Sequence, residues 1–170
     1  DMPEIVAVNL KGRLRKGVGP HDVALALVKA TFPNGFVKNR ILEFVGNGIK
    51  TLSMDVRNGI DVMTTETTCL SSIWITDEKT KEYYAEHGRV ADYKELKPED
   101  GAYYDKGIEI NLSQVEPMIA LPFHPSNAYT IRDFLSRPYE LLRECEIAGQ
   151  KLLKKGEFKL TDKIIDGKVF

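Results

Sequence analysis

Residues 41–53 read I-L-E-F-V-G-N-G-I-K-T-L-S. Ile41 to Val45 is a short apolar strand, Gly46-Asn47-Gly48 turns the chain directly after it, and Ser53 with Asp55 signals the start of a helix. The stretch is therefore a strand, a glycine turn and a helix in succession, and the same alternation repeats on both sides of it. Upstream, Glu4 to Leu10 predicts a first strand, whose nearly continuous apolar run Ile5, Val6, Ala7, Val8 suits a strand covered on both faces of a parallel sheet. Between these strands, Gly19-Pro20 places a tolerated N-cap beside a proline at the first helical position. Val23, Leu27 and Ala30 then recur at helical spacing, and Pro33-Asn34-Gly35 ends the helix.

Downstream, a helix is expected from about Met54 to Thr65 or a little beyond, with Val56, Ile60, Met63 and Thr67 as its buried stripe. Cys69 to Ile75 reads as a third strand. Thr76 is the expected cap of a third helix, which holds Asp77 and Glu78 in its first turn and closes at His87-Gly88. A charged connection then leads to Ile108, Ile110 and Leu112 as a fourth strand, and Met118 to Pro122 reads as a short fifth. Pro122, Pro125 and Ser126-Asn127 mark an irregular segment. From Pro138 the spacing of Leu141, Cys145, Ala148 and Leu152 predicts the longest helix, and Lys159 to Phe170 a strand or hairpin whose partner lies past the end of the chain. Strands alternating with helices predict an α/β fold: a mainly parallel sheet of four to five strands, helices on both faces in three α/β/α layers, and a C-terminal helix. Residues 1–130 form the α/β domain in this reading, and 131–170 hold the helix and the start of a connection to a next domain. A strand begins almost at once after Asp1, so the chain is expected to be a piece of something longer.

The 170 residues are 42% apolar and 29% charged, which suits a packed core and excludes disorder and collagen-like repeats. The longest uncharged apolar stretches, such as Val23–Val28 and Met118–Phe123, fall well short of the roughly 20 residues that span a bilayer. With no basic-then-apolar leader pattern, a soluble cytoplasmic chain without a membrane partner is expected. Twenty-four basic and 25 acidic residues are interspersed. Lys11, Arg13, Arg15 and Lys16 come nearest to a basic stripe and read as a solvated loop, so no nucleic-acid partner is expected. Cys69 and Cys145 do not form C-x-x-C and are expected to be buried free thiols.

Few residues suggest chemistry. Gly46-x-Gly48 follows a strand as a phosphate cradle would, but Thr51 stands where a dinucleotide fingerprint needs its third glycine, and no Gly-Lys-Ser/Thr is present; a plain tight turn is the better reading. His21, His87 and His124 lack metal-ligand spacing and read as loop or cap residues. Of these His124 is expected to face a cleft, because it follows a buried strand end. Glu66 lies about 80° from Val56 around the second helix, on the shoulder of the buried face. In the last turn of that helix an ionised carboxylate meets the negative end of the dipole, at a cost of about 0.3–1 kcal/mol. Threonines at 64, 65, 67 and 68, poor helix formers, surround it. On these grounds alone the simpler reading is a partly exposed glutamate at a fraying helix end.

Several stretches nevertheless recur together. Leu10-Lys11-Gly12-Arg13-Leu14, Val18 to Leu27, Glu43 to Ser53, and Asp100 to Leu112 followed by Glu116-Pro117 stand in an order and spacing that resembles the aconitase family, iron-sulfur hydro-lyases of tricarboxylic and related acids. The resemblance covers roughly Pro3 to Ser126 and looks like the second domain of the family's core. It implies reversible dehydration of a hydroxy-tricarboxylic acid in the full-length protein, with a [4Fe-4S] cluster whose open iron acts as a Lewis acid. It also implies a catalytic role for Glu66, which matches a family glutamate that hydrogen-bonds around the cluster-bound water or hydroxyl. The partners implied are the small acid substrate and the remaining domains of the same polypeptide. Val62 departs from the asparagine usual four residues before that glutamate, and Asn47 from a proline between the glycines. The family's cluster motifs are missing and two thiolates are too few, so neither cysteine is assigned as a ligand, and the isolated chain is expected to be colourless and inactive. The alternatives are a paralogue with changed or lost activity, an RNA-binding regulator, disfavoured by the absent basic stripe, and a stand-alone α/β binding module using the Gly46 turn. An exposed apolar patch is expected near Phe123, His124 and Val169-Phe170.

Overall fold

The computed structural model describes residues 2–165, 168 and 169, with the side chains of 163, 165, 168 and 169 excepted. The elements are β1 (Ile5–Lys11), α1 (Pro20–Thr31), β2 (Ile41–Val45), α2 (Met54–Asp61), β3 (Ser71–Trp74), α3 (Glu78–Glu86), β4 (Lys106–Asn111), β5 (Met118–Ala120), β6 (Ala128–Thr130), α4 (Ile131–Ser136), α5 (Pro138–Leu152), β7 (Ile164–Ile165) and β8 (Lys168–Val169). Four strands form one parallel sheet in the order β3-β2-β1-β4. The α/β class, the parallel sheet flanked by helices and the C-terminal helix are as expected.

Alternation along β1 sends Val6, Val8 and Leu10 to one face, where they meet Leu42 and Phe44 of β2 in a fully buried core. Phe44 stacks on Trp74 of β3 with ring centroids 4.0 Å apart. From β1 through β2 to β3 the chain steps in one direction across the sheet, so right-handed crossovers put α1 and α2 side by side on that face. Val23 and Leu27 of α1 and Ile60 of α2 complete the core. Ile5, Ala7, Ile41 and Val45 on the opposite face are half-buried.

The expected fifth strand does not join the sheet. β5 pairs antiparallel with β6, an unforeseen strand, in a separate ribbon. Six residues separate β4 from β5, and a parallel crossover needs about a dozen or more. This ribbon shares a second core with the C-terminal helices, built from Leu121, Phe134, Leu141, Leu142 and Cys145. It is also tied to the sheet unit: Asp22 near the start of α1 accepts N–H bonds from Gly19 and Met118, both at 2.7 Å. The terminal hairpin closes within the chain, with Ile164 opposite Val169, instead of awaiting a partner beyond it.

Within α5, Glu146 is 2% exposed and its Oε1 accepts from the Leu160 and Thr161 amides and the Thr161 hydroxyl, each at 2.7 Å, while Arg143 bonds Oε2. The segment after α5 is thereby stapled back onto it. The Thr161 hydroxyl and amide, then Arg143 and the Leu160 amide, lower the Glu146 carboxyl to about 2.

Candidate active site

The second helix stops earlier than its pattern predicts. α2 ends at Asp61, and Thr64–Thr67 forms a 3-10 turn. The threonines explain the break: the hydroxyls of Thr64 and Thr67 bond the carbonyls three residues back, at 2.8 and 2.6 Å, satisfying groups that an α-helix would pair otherwise. Thr68 then turns left-handed, with φ 64°, into β3. Glu66 therefore belongs to a short tight turn and not to the last turn of an α-helix, so the helix-dipole cost expected for it does not arise. Its side chain is 44% exposed at the rim of the packed face, while Ile60 and Thr67 are buried.

This turn lies at the amino ends of the strands. The Asn39 amide, just before β2, donates to the Thr68 carbonyl at 3.1 Å, and the Leu70 amide donates to Arg40 at 2.8 Å. In open parallel sheets ligands usually collect at the carboxyl ends instead. At that opposite end the chain closes over β1. Gly46 has φ 98°, and a Cβ on it would collide with the Asn9 side chain and the Leu10 carbonyl; one on Gly48 would lie 2.8 Å from the Leu10 carbonyl. The glycines let residues 47–51 cross the end of β1, and the plain-turn reading of Gly46-x-Gly48 stands.

His124 comes to the amino end from the loop between β5 and β6. Its ring stacks on Phe32, at the end of α1, with centroids 3.8 Å apart and planes at 22°. Its Nε2 is 4.0 Å from Glu66 Oε2. The two residues thus face one another across the junction of the sheet unit and the ribbon. Neither Phe32 nor Ser126, whose amide donates to His124 Nδ1 at 3.1 Å, is marked by any local motif. Phe123 beside them is 53% exposed, as the expected patch requires; Phe170 and the Val169 side chain lie outside the described residues.

The other candidates have structural roles. His21 is exposed at the start of α1. His87 caps α3, its Nδ1 2.8 Å from the Tyr83 carbonyl oxygen. The N-cap of that helix is Asp77 and not Thr76, because the Asp77 carboxylate accepts the Thr80 amide at 3.2 Å. Arg57, which the pattern did not single out, is 2% exposed and donates to Asp77 at 2.6 Å and to the Ile49 and Leu52 carbonyls. Burial pushes the Asp77 carboxyl up, but the Arg57 hydrogen bond and charge outweigh it and hold the group below its usual range. In the basic stretch Lys11 pairs with Glu109 at 2.6 Å and Arg15 donates to the Val115 carbonyl at 3.0 Å. An apolar groove lined by Ala26, Ala30, Ile108, Ile110, Val115 and Met118 runs beside the free edge of β4, and neither Glu66 nor His124 lines it.

Cysteine placement decides the fit of an iron-sulfur cluster. Cys69 is half-buried and directs Sγ at the Thr64 carbonyl, 3.4 Å away. Cys145 is buried in the second core between the Pro122 carbonyl and the Asn127 amide, and burial raises its thiol pKa. The two thiols belong to different cores, and among the described residues no group of three His, Cys, Asp or Glu side chains is placed to hold a metal. The residues of this chain do not fit such a cluster.

Fold and site together define a parallel α/β unit that exposes a carboxylate, attended by an imidazole, at the amino edge of its sheet. The family model for the aconitase family (aconitate hydratase) matches residues 1–169, and the chain belongs to that family. It is 33% identical over 129 residues to the 3-isopropylmalate dehydratase large subunit of Elusimicrobium minutum, an alignment covering 76% of this chain and 31% of that protein. The protein of the same description from Picrophilus torridus is 30% identical over 99% of this chain and 40% of its own length. The 2,3-dimethylmalate dehydratase large subunit of Eubacterium barkeri is 34% identical, with 91% and 40% covered. The chain thus spans between 31% and 40% of the length of these curated relatives. Among the described residues no helix is long and apolar enough to cross a membrane.

Proposed function

We propose that this chain is one domain of an aconitase-family hydro-lyase that reversibly removes water from a hydroxy acid, and that Glu66 is its catalytic contribution. The placement of Glu66 carries this reading: a carboxylate side chain 44% exposed at the rim of the sheet, on a short 3-10 turn. In dehydration Glu66 supplies a proton to the hydroxyl that departs as water while a base from the rest of the polypeptide takes the proton leaving the adjacent carbon, and in hydration both transfers reverse. The names of the relatives favour substituted malates, which share a carboxylate and a hydroxyl on adjacent carbons, over the tricarboxylic acid first expected. The [4Fe-4S] cluster that the family implies would be held by parts of the polypeptide outside this chain. In that longer protein residues 1–130 are assigned to one domain and 131–170 to the start of the connection to the next, and the β5–β6 ribbon, although within 1–130, bridges the two through the core it shares with α4 and α5. The relatives are described as large subunits, so a small subunit is the proposed partner.

A second reading, a paralogue with a changed reaction, is favoured by Val62, which is apolar and 67% exposed four residues before Glu66. Both readings are tested by assaying the full-length protein and its small subunit on 3-isopropylmalate, 2,3-dimethylmalate and citrate. Glu66→Gln keeps the shape and removes the proton-handling group, and should lower kcat about 10²- to 10⁴-fold. Ordinary turnover of that variant overturns the assignment of Glu66, and turnover of none of the three acids by the wild type favours the paralogue.

A further inference from the structure

The ring of His124 is fixed from two sides. Phe32 holds its plane, and the Ser126 amide donates to Nδ1 at 3.1 Å. The Ser126 hydroxyl lies 3.0 Å from the same nitrogen, and with the amide donating to Nδ1 the arrangement favours the tautomer that carries its proton on Nε2. That nitrogen faces Glu66 Oε2 at 4.0 Å. The loop presenting it is itself tied: Asn127 donates its amide to the His124 carbonyl at 2.8 Å and its side chain to the Pro122 carbonyl at 2.7 Å, and the Leu121 amide bonds Asn127 at 2.8 Å. A rigid loop from one unit thus aims an N–H at the carboxylate of the other.

Resting on the assignment of Glu66 above, the geometry points to His124 as a positioning residue that holds the Glu66 carboxylate through its Nε2–H. The separation of 4.0 Å exceeds a hydrogen bond, but such contacts are often long without substrate and tighten in the complex. Both side chains are more than a third exposed, and an exposed pair of this kind adds little stability. What it sets is direction: with one oxygen drawn toward His124, the other is left to face the substrate hydroxyl.

The test uses the full-length protein with its small subunit, turning over whichever of the three acids the wild type accepts. His124→Phe keeps the stack on Phe32 and removes both nitrogens, whereas His124→Gln retains an N–H donor. His124→Phe should lower kcat roughly 10- to 100-fold, as for other residues that orient a reacting group, with KM and melting temperature little changed. His124→Gln should recover part of the loss. In a Glu66→Gln background His124→Phe should cost nothing further, because the group it positions is gone. A slow Glu66→Gln enzyme beside an ordinary His124→Phe enzyme overturns this inference and leaves the assignment of Glu66 standing; equal losses from His124→Phe in both backgrounds also overturn it. Ordinary turnover of Glu66→Gln overturns both. Independently of activity, the imidazole ¹⁵N spectrum, assigned by the signal missing in His124→Phe, should show the Nε2–H tautomer, and an Nδ1–H signal for the neutral ring refutes the geometry.

Discussion

Two carboxylates in the two units of this molecule are held in opposite ways. Glu146 in α5 is nearly sealed from solvent and accepts three bonds from Leu160 and Thr161 on one oxygen and one from Arg143 on the other. Glu66, on its threonine turn, is 44% exposed with an imidazole 4.0 Å away. A carboxylate whose acceptor sites are filled by its own chain can staple but has nothing left to offer a substrate. One left half-paired at a rim contributes little to folding and keeps its oxygens for chemistry.

The contrast is broken most severely by exchanging the effects of one substitution at the two positions. Glu146→Gln puts an NH2 group where only acceptors fit, so the segment after α5 should come loose; limited proteolysis should cut residues 153–162 several-fold faster than in the wild type, while turnover falls far less than in Glu66→Gln. Acid gives a smaller and reversible version. The Glu146 carboxyl is lowered from 4.5 to about 2. A depressed carboxylate adds stability that is present above its unfolded value and lost as pH falls through the folded one. Protection of the Leu160 and Thr161 amides from hydrogen exchange should therefore decline between pH 4.5 and about 2, and Glu146→Gln should abolish that decline. On the other side, Glu66→Gln should change the unfolding free energy by no more than about 0.5 kcal/mol, as is usual for exposed positions. The smallest effect is expected at Val62, which is exposed: Val62→Asn should leave the melting curve unchanged and register only in kcat, or in the choice of acid.

Most of the sheet was legible because short apolar runs and period-3.6 patterns report local geometry, although the first strand's continuous run suggested two covered faces where one is buried and the other half-buried. Val6, Val8 and Leu10 alternate with half-buried neighbours, and Val23, Leu27 and Ile60 sit where helical spacing puts them. The errors arise where side chains override the pattern. The hydroxyls of Thr64 and Thr67 divert the end of α2 into a 3-10 turn that spacing alone extends as helix. The six residues before β5 deny it a crossover, although its apolar run looks like another sheet strand. Of the site, the partial exposure of Glu66 was expected, but from an angle around a helix that in fact ends at Asp61, before the 3-10 turn that carries the residue. Its juxtaposition with His124 was not, since it depends on how the ribbon docks, on Phe32 and on the Ser126 amide.

The tie between Asp22 and Met118 makes α1 a gauge. The segment from Met118 to His124 is anchored beside the first turn of the helix by Asp22 and rests on Phe32 just past its last. Ten residues of helix separate those anchors by about 15 Å, and the six-residue step from Met118 to His124 reaches at most about 20 Å when extended. One residue added to α1 would swing Phe32 through roughly 100° and shift it about 1.5 Å, out from under the His124 ring. The length of α1 therefore helps to set where the imidazole stands.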